Sequence, residues 1–464
     1  MGAGTARGGA CLLISGNVRK NMEFVVFAGV LLLLFIFMIV QELIQTKNQE
    51  KLFKKYLREN YGKEPPKEYS LERFARLGSY LERHKEEKQL DDITWNDLGM
   101  DEVFRRIDRT YSAAGEEYLY YTLRNISCGR EAMEHLEEVV NWLQEQEDIK
   151  VRIQLLMKRL GHLGKYSLYD YLDNLDYLGE RSNRKIVLGN LLYLPFLLLL
   201  FVQPAMGTIG IVLCMLWHIM TYFREKKVIE PYIISFAYVL RLIDVCEELE
   251  KQKIPVYRRE LDELREVLKS LRELRRGSYW VMAGNQGKIG GNPLDILADY
   301  LRMILHLDIF QFNRMLEKLR KKTGQVETML AITGYLDMAI SVGGFRKSLE
   351  GYCIPKLEED TEKAFLHMKK GWHPLLSQPV KNSIRADRGI LLTGSNASGK
   401  STFLKMVAVN AVLAQTIHTC AAESYHAPIF QIFSSMALRD SMENGESYYI
   451  VEIRSLKRIL DAAG

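Results

Sequence analysis

The sequence predicts a mainly α-helical chain that carries membrane-spanning helices and ends in a domain of mixed α/β type. Three observations carry this expectation. Proline is scarce, with 11 residues in 464, so helices run long with few breaks. Three uncharged apolar runs stand out from a composition of 47% hydrophobic and 26% charged residues, a balance that itself excludes wholesale disorder. Near the C-terminus a short apolar run, a glycine-containing loop and an apolar helical stretch follow one another, which is the setting of a strand–loop–helix turn. The length leaves room for roughly three folded units at about 150 residues each. A net charge of +5, from 63 basic and 58 acidic residues, is too mild to predict a nucleic-acid partner by itself. The six cysteines, Cys11, Cys128, Cys214, Cys246, Cys353 and Cys420, form no C-x-x-C pair. A zinc ribbon and a disulfide framework are therefore excluded, and a reducing compartment is expected for the soluble parts. The nine histidines show no H-x-x-x-H spacing, so no metal beyond Mg²⁺ is indicated.

Taken in chain order, residues 1–21 read unlike the rest and form a non-native leader if translation begins at Met22. Phe24 to Val40 is an uncharged run of seventeen residues, which flanking residues extend to bilayer length, and 22–45 is expected to be a transmembrane helix. No small-x-small cleavage site follows, which argues against a signal peptide. Residues 46–185 are rich in Leu, Glu, Lys, Arg and Tyr and are expected to form a helical core. Within them Leu98, Val103, Phe104, Ile107 and Tyr111 recur at helical spacing, and Ala113, Ala114 and Gly115 permit close packing, which predicts a core helix pair over Asp91 to Ile126. Residues 186–223 form two apolar spans broken at Pro204, a transmembrane hairpin. Arg181, Arg184 and Lys185 precede it, and Arg224, Lys226 and Lys227 follow it. The positive-inside bias then places both ends, and the soluble domains, on the cytoplasmic side of the cell membrane. The alternative is a hairpin buried in a soluble core.

Residues 224–349 are expected to form a second helical region. Ile254, Tyr257, Leu261, Leu264, Leu268 and Leu271 alternate at spacings of three and four, a heptad seam against a partner helix. Arg258, Arg265, Lys269, Arg272 and Arg276 lie outside that seam, but interleaved Glu and Asp make this face a solvated flank rather than a DNA stripe. Gly284 to Pro293 is a glycine-rich turn, not a phosphate loop, because no G-K-[ST] accompanies it.

Residues 350–464 hold the one unmistakable chemistry. Gly394 to Ser401 reads GSNASGKS, a G-x-x-x-x-G-K-[ST] phosphate loop, preceded by GILLT at Gly389 to Thr393 and followed by an apolar helix. A buried parallel strand is expected at Gly389 to Thr393, which makes this an α/β P-loop NTPase domain. Gly394 and Gly399 let the backbone wrap phosphate oxygens, and the helix N-terminus favours the anion. Ser395, Asn396, Ala397 and Ser398 are the small residues that bridge the two glycines. Lys400 supplies a point charge between the outer phosphates of ATP. Ser401, followed by Thr402, offers its hydroxyl to Mg²⁺, the one metal expected.

The loop and its surroundings resemble the C-terminal, ABC-type ATPase domain of the MutS mismatch-repair family. TGSNASGKST at Thr393 to Thr402 stands where that family reads TGPNMGGKST, and GWHPLL at Gly371 to Leu376 is similar to its glycine-arginine-histidine-proline approach, with Trp372 in place of arginine. Asn382, the Leu-Asp-x-x-x-Ser pattern at Leu336 to Ser341, and YCIPKL at Tyr352 to Leu357 also resemble family segments. Thr110 and Gly115 fit its threonine-x-x-x-x-glycine pattern. Downstream, Ser447 matches the serine that reaches the partner's nucleotide, and Glu452 matches a helix glutamate. The resemblance implies ATP and Mg²⁺ as cofactors, a homodimer through the ATPase domain, and DNA as a partner. Departures from the family pattern qualify this. No mismatch-reading segment precedes the core, the hairpin interrupts it, and the sequence reaches Gly464 where the family's Walker B strand is expected. These point to a membrane-anchored MutS-like branch that binds ATP more readily than it hydrolyses it. Two other classes remain open: a membrane sensor or transporter with an ABC-like motor and no nucleic acid, and a nucleotide-independent scaffold. His373 is expected to be a packing or nucleotide-edge residue, not a catalytic one.

Overall fold

The computed structural model describes residues 37, 40–41, 44–64, 69–86, 88–126, 129–163, 167–275, 300–359, 364–436 and 448–463. The chain divides into two compact units, Met1–Tyr61 and Gly62–Gly464. In the first, residues 44–60 are helical, with Lys54 and Glu50 paired at 2.6 Å one turn apart. The leader 1–21 and nearly all of the run from Phe24 to Val40 lie outside the described residues.

The second unit is mostly helix. Its N-terminal part comprises α1 (Leu71–Arg83), α2 (Asp92–Leu98), α3 (Met100–Ile107), α4 (Ala113–Arg124), α5 (Arg130–Glu145), α6 (Glu147–Leu160) and α7 (Leu168–Asp173). Then come α8 (Arg184–Leu191), α9 (Tyr193–Val202) and α10 (Pro204–Glu250), followed by α11 (Arg258–Arg275), α12 (Leu307–Arg320) and α13 (Thr323–Ser348). The expected core pair over 91–126 is three helices. Gly99, at φ 68°, ends α2 and starts α3 at a left-handed turn, a conformation that glycine adopts without steric cost.

The core is organised around α13, which is apolar and long enough to cross a membrane but is almost wholly buried in protein. It crosses α4 at a joint of small residues. A Cβ on Gly115 would lie 2.4 Å from Asp337 Oδ2, and one on Gly334 would lie 2.6 Å from the Ala114 carbonyl oxygen. At the same joint the buried Asp337 carboxylate accepts the N–H groups of Tyr111 (3.0 Å) and Ser112 (2.8 Å) and the Ser112 hydroxyl (2.6 Å). An anion is thereby set at the N-terminus of α4, where the helix dipole favours it. Ser341, one turn on, accepts the Arg109 N–H and donates to the Ile107 carbonyl, both at 2.8 Å. The two patterns noticed separately in the sequence, Thr110–Gly115 and Leu336–Ser341, thus form one structural joint.

The heptad seam is satisfied within the chain. Leu261, Leu264 and Leu271 of α11 are buried, and the helix packs on α10 and α13. Its outer face is a set of local ion pairs: Arg265 with Glu250 (2.7 Å) and Asp262 (2.8 Å), and Lys269 with Glu266 (2.6 Å). Arg276 and the turn Gly284 to Pro293 lie outside the described residues.

The apolar hairpin forms as the break at Pro204 predicts, with proline in the first turn of α10, where its missing N–H costs nothing. The second helix of the hairpin continues past residue 223: α10 runs on through Pro231 to Glu250 as one 47-residue helix, so the hairpin and the helical core share a continuous rod. Helices α9 and α10 meet closely because Gly207 and Gly210 carry no side chain. A Cβ on Gly207 would lie 2.6 Å from the Leu200 nitrogen, and one on Gly210 would lie 2.1 Å from the Phe196 ring. None of the residues of α9 is buried, and Leu198, Phe201 and Met220 stand out at 69%, 90% and 74% exposure. A hairpin packed into a soluble core would hide these side chains.

The C-terminal part contains α14 (Lys400–Ile417), α15 (Tyr448–Ala463) and strands β1 (Lys356–Glu358), β2 (Leu366–Gly371), β3 (Asn382–Ala386) and β4 (Ser424–Pro428). The sheet order is β1-β4-β2-β3. The β1–β4 pairing is parallel and the other two are antiparallel, with Met368 opposite both Tyr425 and Ile384. The expectation of a buried parallel strand at Gly389 to Thr393 is not met. Those residues form no ladder with any described strand, and Leu391 is 90% exposed. A strand exists only through its neighbours' hydrogen bonds, and the four strands present pair among themselves.

Candidate phosphate-binding site

The loop residues Gly394, Ser395, Asn396, Ala397, Ser398 and Gly399 lead directly into α14, which begins at Lys400. Gly399 caps the helix at φ 88° and Ala397 sits at φ 60°. Both conformations are left-handed, and they lie immediately before the first turn of the helix. The N–H groups of a first turn have no partner inside their helix, so the N-termini at Lys400, Ser401 and Thr402 present donors to an anion. The rest of the helix is fixed from below: Met406, Val409, Val412 and Leu413 are buried. Buried Asn410 donates to the Trp372 carbonyl (3.0 Å) and accepts the Ala421 N–H (2.7 Å). This residue, which the sequence pattern does not single out, ties the helix to the segment leaving β2 and to the chain entering β4.

Lys400 arches over the loop. Its Nζ donates to the Gly394 carbonyl at 2.7 Å and also to that of Ser395, with Ser398 Oγ at 3.5 Å. Ser401 and Thr402 are exposed. Beside the loop lies a cavity of about 760 Å³, lined also by His373, Leu376, Val380, Phe403 and Met406. This volume is in the range of small-molecule sites. His373 is buried, and its pKa is held below 6.5 by that burial and by the nearby Lys405 charge. It is therefore neutral at pH 7, and its Nδ1 accepts the Leu375 N–H at 3.3 Å, which leaves the ring proton on Nε2. Trp372 is buried, with the Lys381 ammonium 4.7 Å from its ring centroid, a cation–π distance. Asn382 opens β3 and lines the same cavity.

The donor set fits a magnesium-bound nucleoside triphosphate. It combines an exposed helix N-terminus, one lysine charge and a cavity lined by the hydroxyls of Ser395, Ser398 and Thr402, with the Ser401 hydroxyl exposed outside that lining. Such a group would supply the phosphoanhydride. Gly394 to Thr402 would hold its phosphates, and Ser401 would hold the ion. Ser447 lies outside the described residues, and Glu452 is exposed on α15.

Residues 390–464 match the family model described as MutS domain V. The C-terminal segment of this chain belongs to the MutS family. Its MutS segment is 30% identical, over 171 residues, to a DNA mismatch repair protein MutS of Leptospira interrogans, an alignment covering 34% of this chain and 20% of that protein. The MutS of Acholeplasma laidlawii is 32% identical over 148 residues, or 31% of this chain and 17% of the relative. The MutS of Thermotoga maritima is 31% identical over 130 residues, or 26% and 16%. The chain thus spans about a fifth of the length of the curated relatives it matches. The phosphate loop and α14, both within 390–464, belong to the MutS segment.

Proposed function

We propose that this chain is a membrane-anchored, ATP-binding member of the MutS family that holds Mg-ATP on Gly394 to Thr402. The observation that supports this most is the pairing of the loop with a helix whose N-terminus is open and whose remainder is buried. A preorganised array of backbone donors beside a lysine binds phosphate without reorganisation at the moment of binding. In this reading His373, Leu376 and Phe403 take the base and ribose side of the nucleotide, Lys400 bridges the outer phosphates, and Ser401 contributes one Mg²⁺ ligand. Ser447 completes the site of a second copy, so the ATPase domains form a homodimer when nucleotide is bound.

The hairpin α8–α10 and the run from Phe24 to Val40 make the anchor, with the soluble domains cytoplasmic. The wholly unburied α9 and the outward Leu198, Phe201 and Met220 support this, because lipid is the solvent that tolerates such a surface. DNA is the macromolecular partner that the family membership suggests, as the relatives' names describe mismatch repair. The pairing of the α11 cations with neighbouring carboxylates leaves that helix a weak phosphate surface.

Calorimetric titration of Mg-ATP into the detergent-solubilised chain tests the nucleotide site. Saturable binding is expected in the wild type and its loss in Lys400→Ala; unchanged affinity in the variant overturns the assignment. A linear fall of log affinity with log salt on a duplex supports the DNA reading, and binding independent of salt removes it.

A further inference from the structure

A second cavity, of about 410 Å³, lies at the base of the apolar hairpin, where α8 and α10 meet the start of α12. Its inner wall depends on Gly189, since a Cβ there would lie 3.3 Å from His218 Nε2 and 3.4 Å from the Trp217 ring. His306, buried, forms the floor, with its Nε2 3.3 Å from Thr221 Oγ1. Burial, helped by His218, lowers the His306 pKa to about 4, so the floor is neutral at physiological pH. Two asparagines brace the walls: Asn183 donates to the Phe310 carbonyl and Asn190 to that of Leu305, each at 3.0 Å. The charge is at the rim. Arg181 is held by Glu225 at 3.0 Å, and exposed Glu180 also lines the opening. Lys185 and Arg224 line it too, both exposed. Neither has an ion-pair partner among the described residues. Ile186 and Trp217 add apolar surface to the lining, and Leu188, Leu192 and Met220, a few residues along the hairpin from them, are exposed.

We infer that this cavity binds the phosphate headgroup of an anionic membrane phospholipid, with Lys185 and Arg224 on the phosphate and the Ile186–Trp217 wall against the glycerol and first acyl carbons. The inference rests on the membrane reading above. Its chemistry is that of an amphiphile: two cations without ion-pair partners among the described residues, and an apolar Ile186–Trp217 wall on a hairpin whose neighbouring apolar side chains are exposed. A water-soluble phosphate ester would leave that wall exposed. The rim stands where the aqueous phase gives way to hydrocarbon, and a lower dielectric there strengthens each cation–phosphate contact relative to bulk water.

The test uses the full chain. Flotation with neutral phosphatidylcholine vesicles reads the anchor alone. Failure to float overturns the membrane reading and this inference with it; flotation together with no preference for anionic lipid in the thermal-shift titration overturns only the inference. The site is read by thermal shift in neutral detergent, titrated with short-chain phosphatidylglycerol, short-chain phosphatidylcholine or inorganic phosphate. The wild type should show a saturable shift with phosphatidylglycerol at concentrations at least tenfold below those needed of the other two. The double variant Lys185→Gln, Arg224→Gln should lose at least tenfold in apparent affinity. The control Lys251→Gln, Lys253→Gln, which removes the same charge at the far end of α10, should keep it. Equal affinity in the rim variant, or an equal shift with inorganic phosphate, overturns the proposal.

Discussion

Arg346, in the last turn of α13, should be the residue on which the attachment of the phosphate-loop helix to the helical core depends. Its side chain is buried and makes hydrogen bonds at one junction: to both carboxylate oxygens of Glu137 on α5 (3.0 and 2.8 Å), to the Thr419 hydroxyl (2.8 Å) and to the His418 carbonyl (3.0 Å). His418 and Thr419 directly follow α14, so the guanidinium joins two core helices to the end of the helix that begins with Lys400. Burial alone would raise the Glu137 pKa, but the hydrogen bonds from His418 and Arg346 and the arginine charge outweigh it and hold the carboxyl at about 2 instead of 4.5. At about 1.4 kcal/mol per unit that displacement is worth on the order of 3 kcal/mol. Arg346→Met keeps most of the stem and removes the charge. It should cost about 3–5 kcal/mol, since it leaves a half-buried carboxylate without its partner. A double-mutant cycle with Glu137→Gln, followed by urea unfolding with tryptophan fluorescence, should give a coupling of about 2–3 kcal/mol at pH 7. The sign with pH follows from the depressed carboxyl. As pH falls below about 4.5 the unfolded chain takes up its proton first, so the coupling is complete above that value and fades toward pH 2. A coupling under about 0.5 kcal/mol at pH 7, the level of an exposed pair, would refute the reasoning.

Other substitutions probe the joint, the loop and one buried acid. Gly115→Ala, which drives a methyl into Asp337 at 2.4 Å, should destabilise by about 2–4 kcal/mol through overpacking and loss of the carboxylate bonds. Gly78→Ala in α1, where a Cβ meets nothing within 4 Å, should stabilise by about 0.5–1 kcal/mol; the two thermal midpoints must move in opposite directions. Ala397→Gly relieves the left-handed backbone at φ 60° and should stabilise the loop by about 1 kcal/mol, read as slower amide exchange at residues 395–399. Glu117 has its pKa raised to about 8 by burial, against a lowering hydrogen bond from Ser167. The folded state therefore holds a proton there that the unfolded chain gives up above about 4.5, so stability falls as pH rises from about 4.5 to about 8 and levels off beyond it. Glu117→Gln should flatten that loss, and an unchanged slope of stability against pH contradicts it.

Much of the candidate site is legible in the sequence because it depends on residues adjacent in the chain. A glycine that must turn left-handed, a lysine and a hydroxyl at the start of a helix fall within the ten residues from Thr393 to Thr402, and local geometry carries them into place. Asn410, Arg346 and Glu137 escaped notice for the opposite reason. Each is an ordinary polar residue in a helical pattern, and each acquires its role from partners far along the chain. The missing strand at Gly389 to Thr393 teaches the same thing from the other side: apolar residues bounded by glycine suggest a strand, but only a neighbouring strand makes one. The helix α13 reads as apolar enough for a membrane, and only its burial among α4, α5 and α11 gives it a place in the helical core.

Local chemistry and periodicity, which are properties of consecutive residues, determined the phosphate loop, the helical character, the apolar hairpin and the kinship of the C-terminal segment with MutS. The tertiary structure decided which apolar helix faces protein and which faces outward. It decided that Gly115 and Asp337 are one joint, that α10 carries the hairpin into the core without a break, and that Lys185 and Arg224 come together at the rim of a cavity beneath it. These are set by packing and by paired charges between residues distant in the chain, and hydrophobic burial is indifferent to sequence separation until the chain has folded.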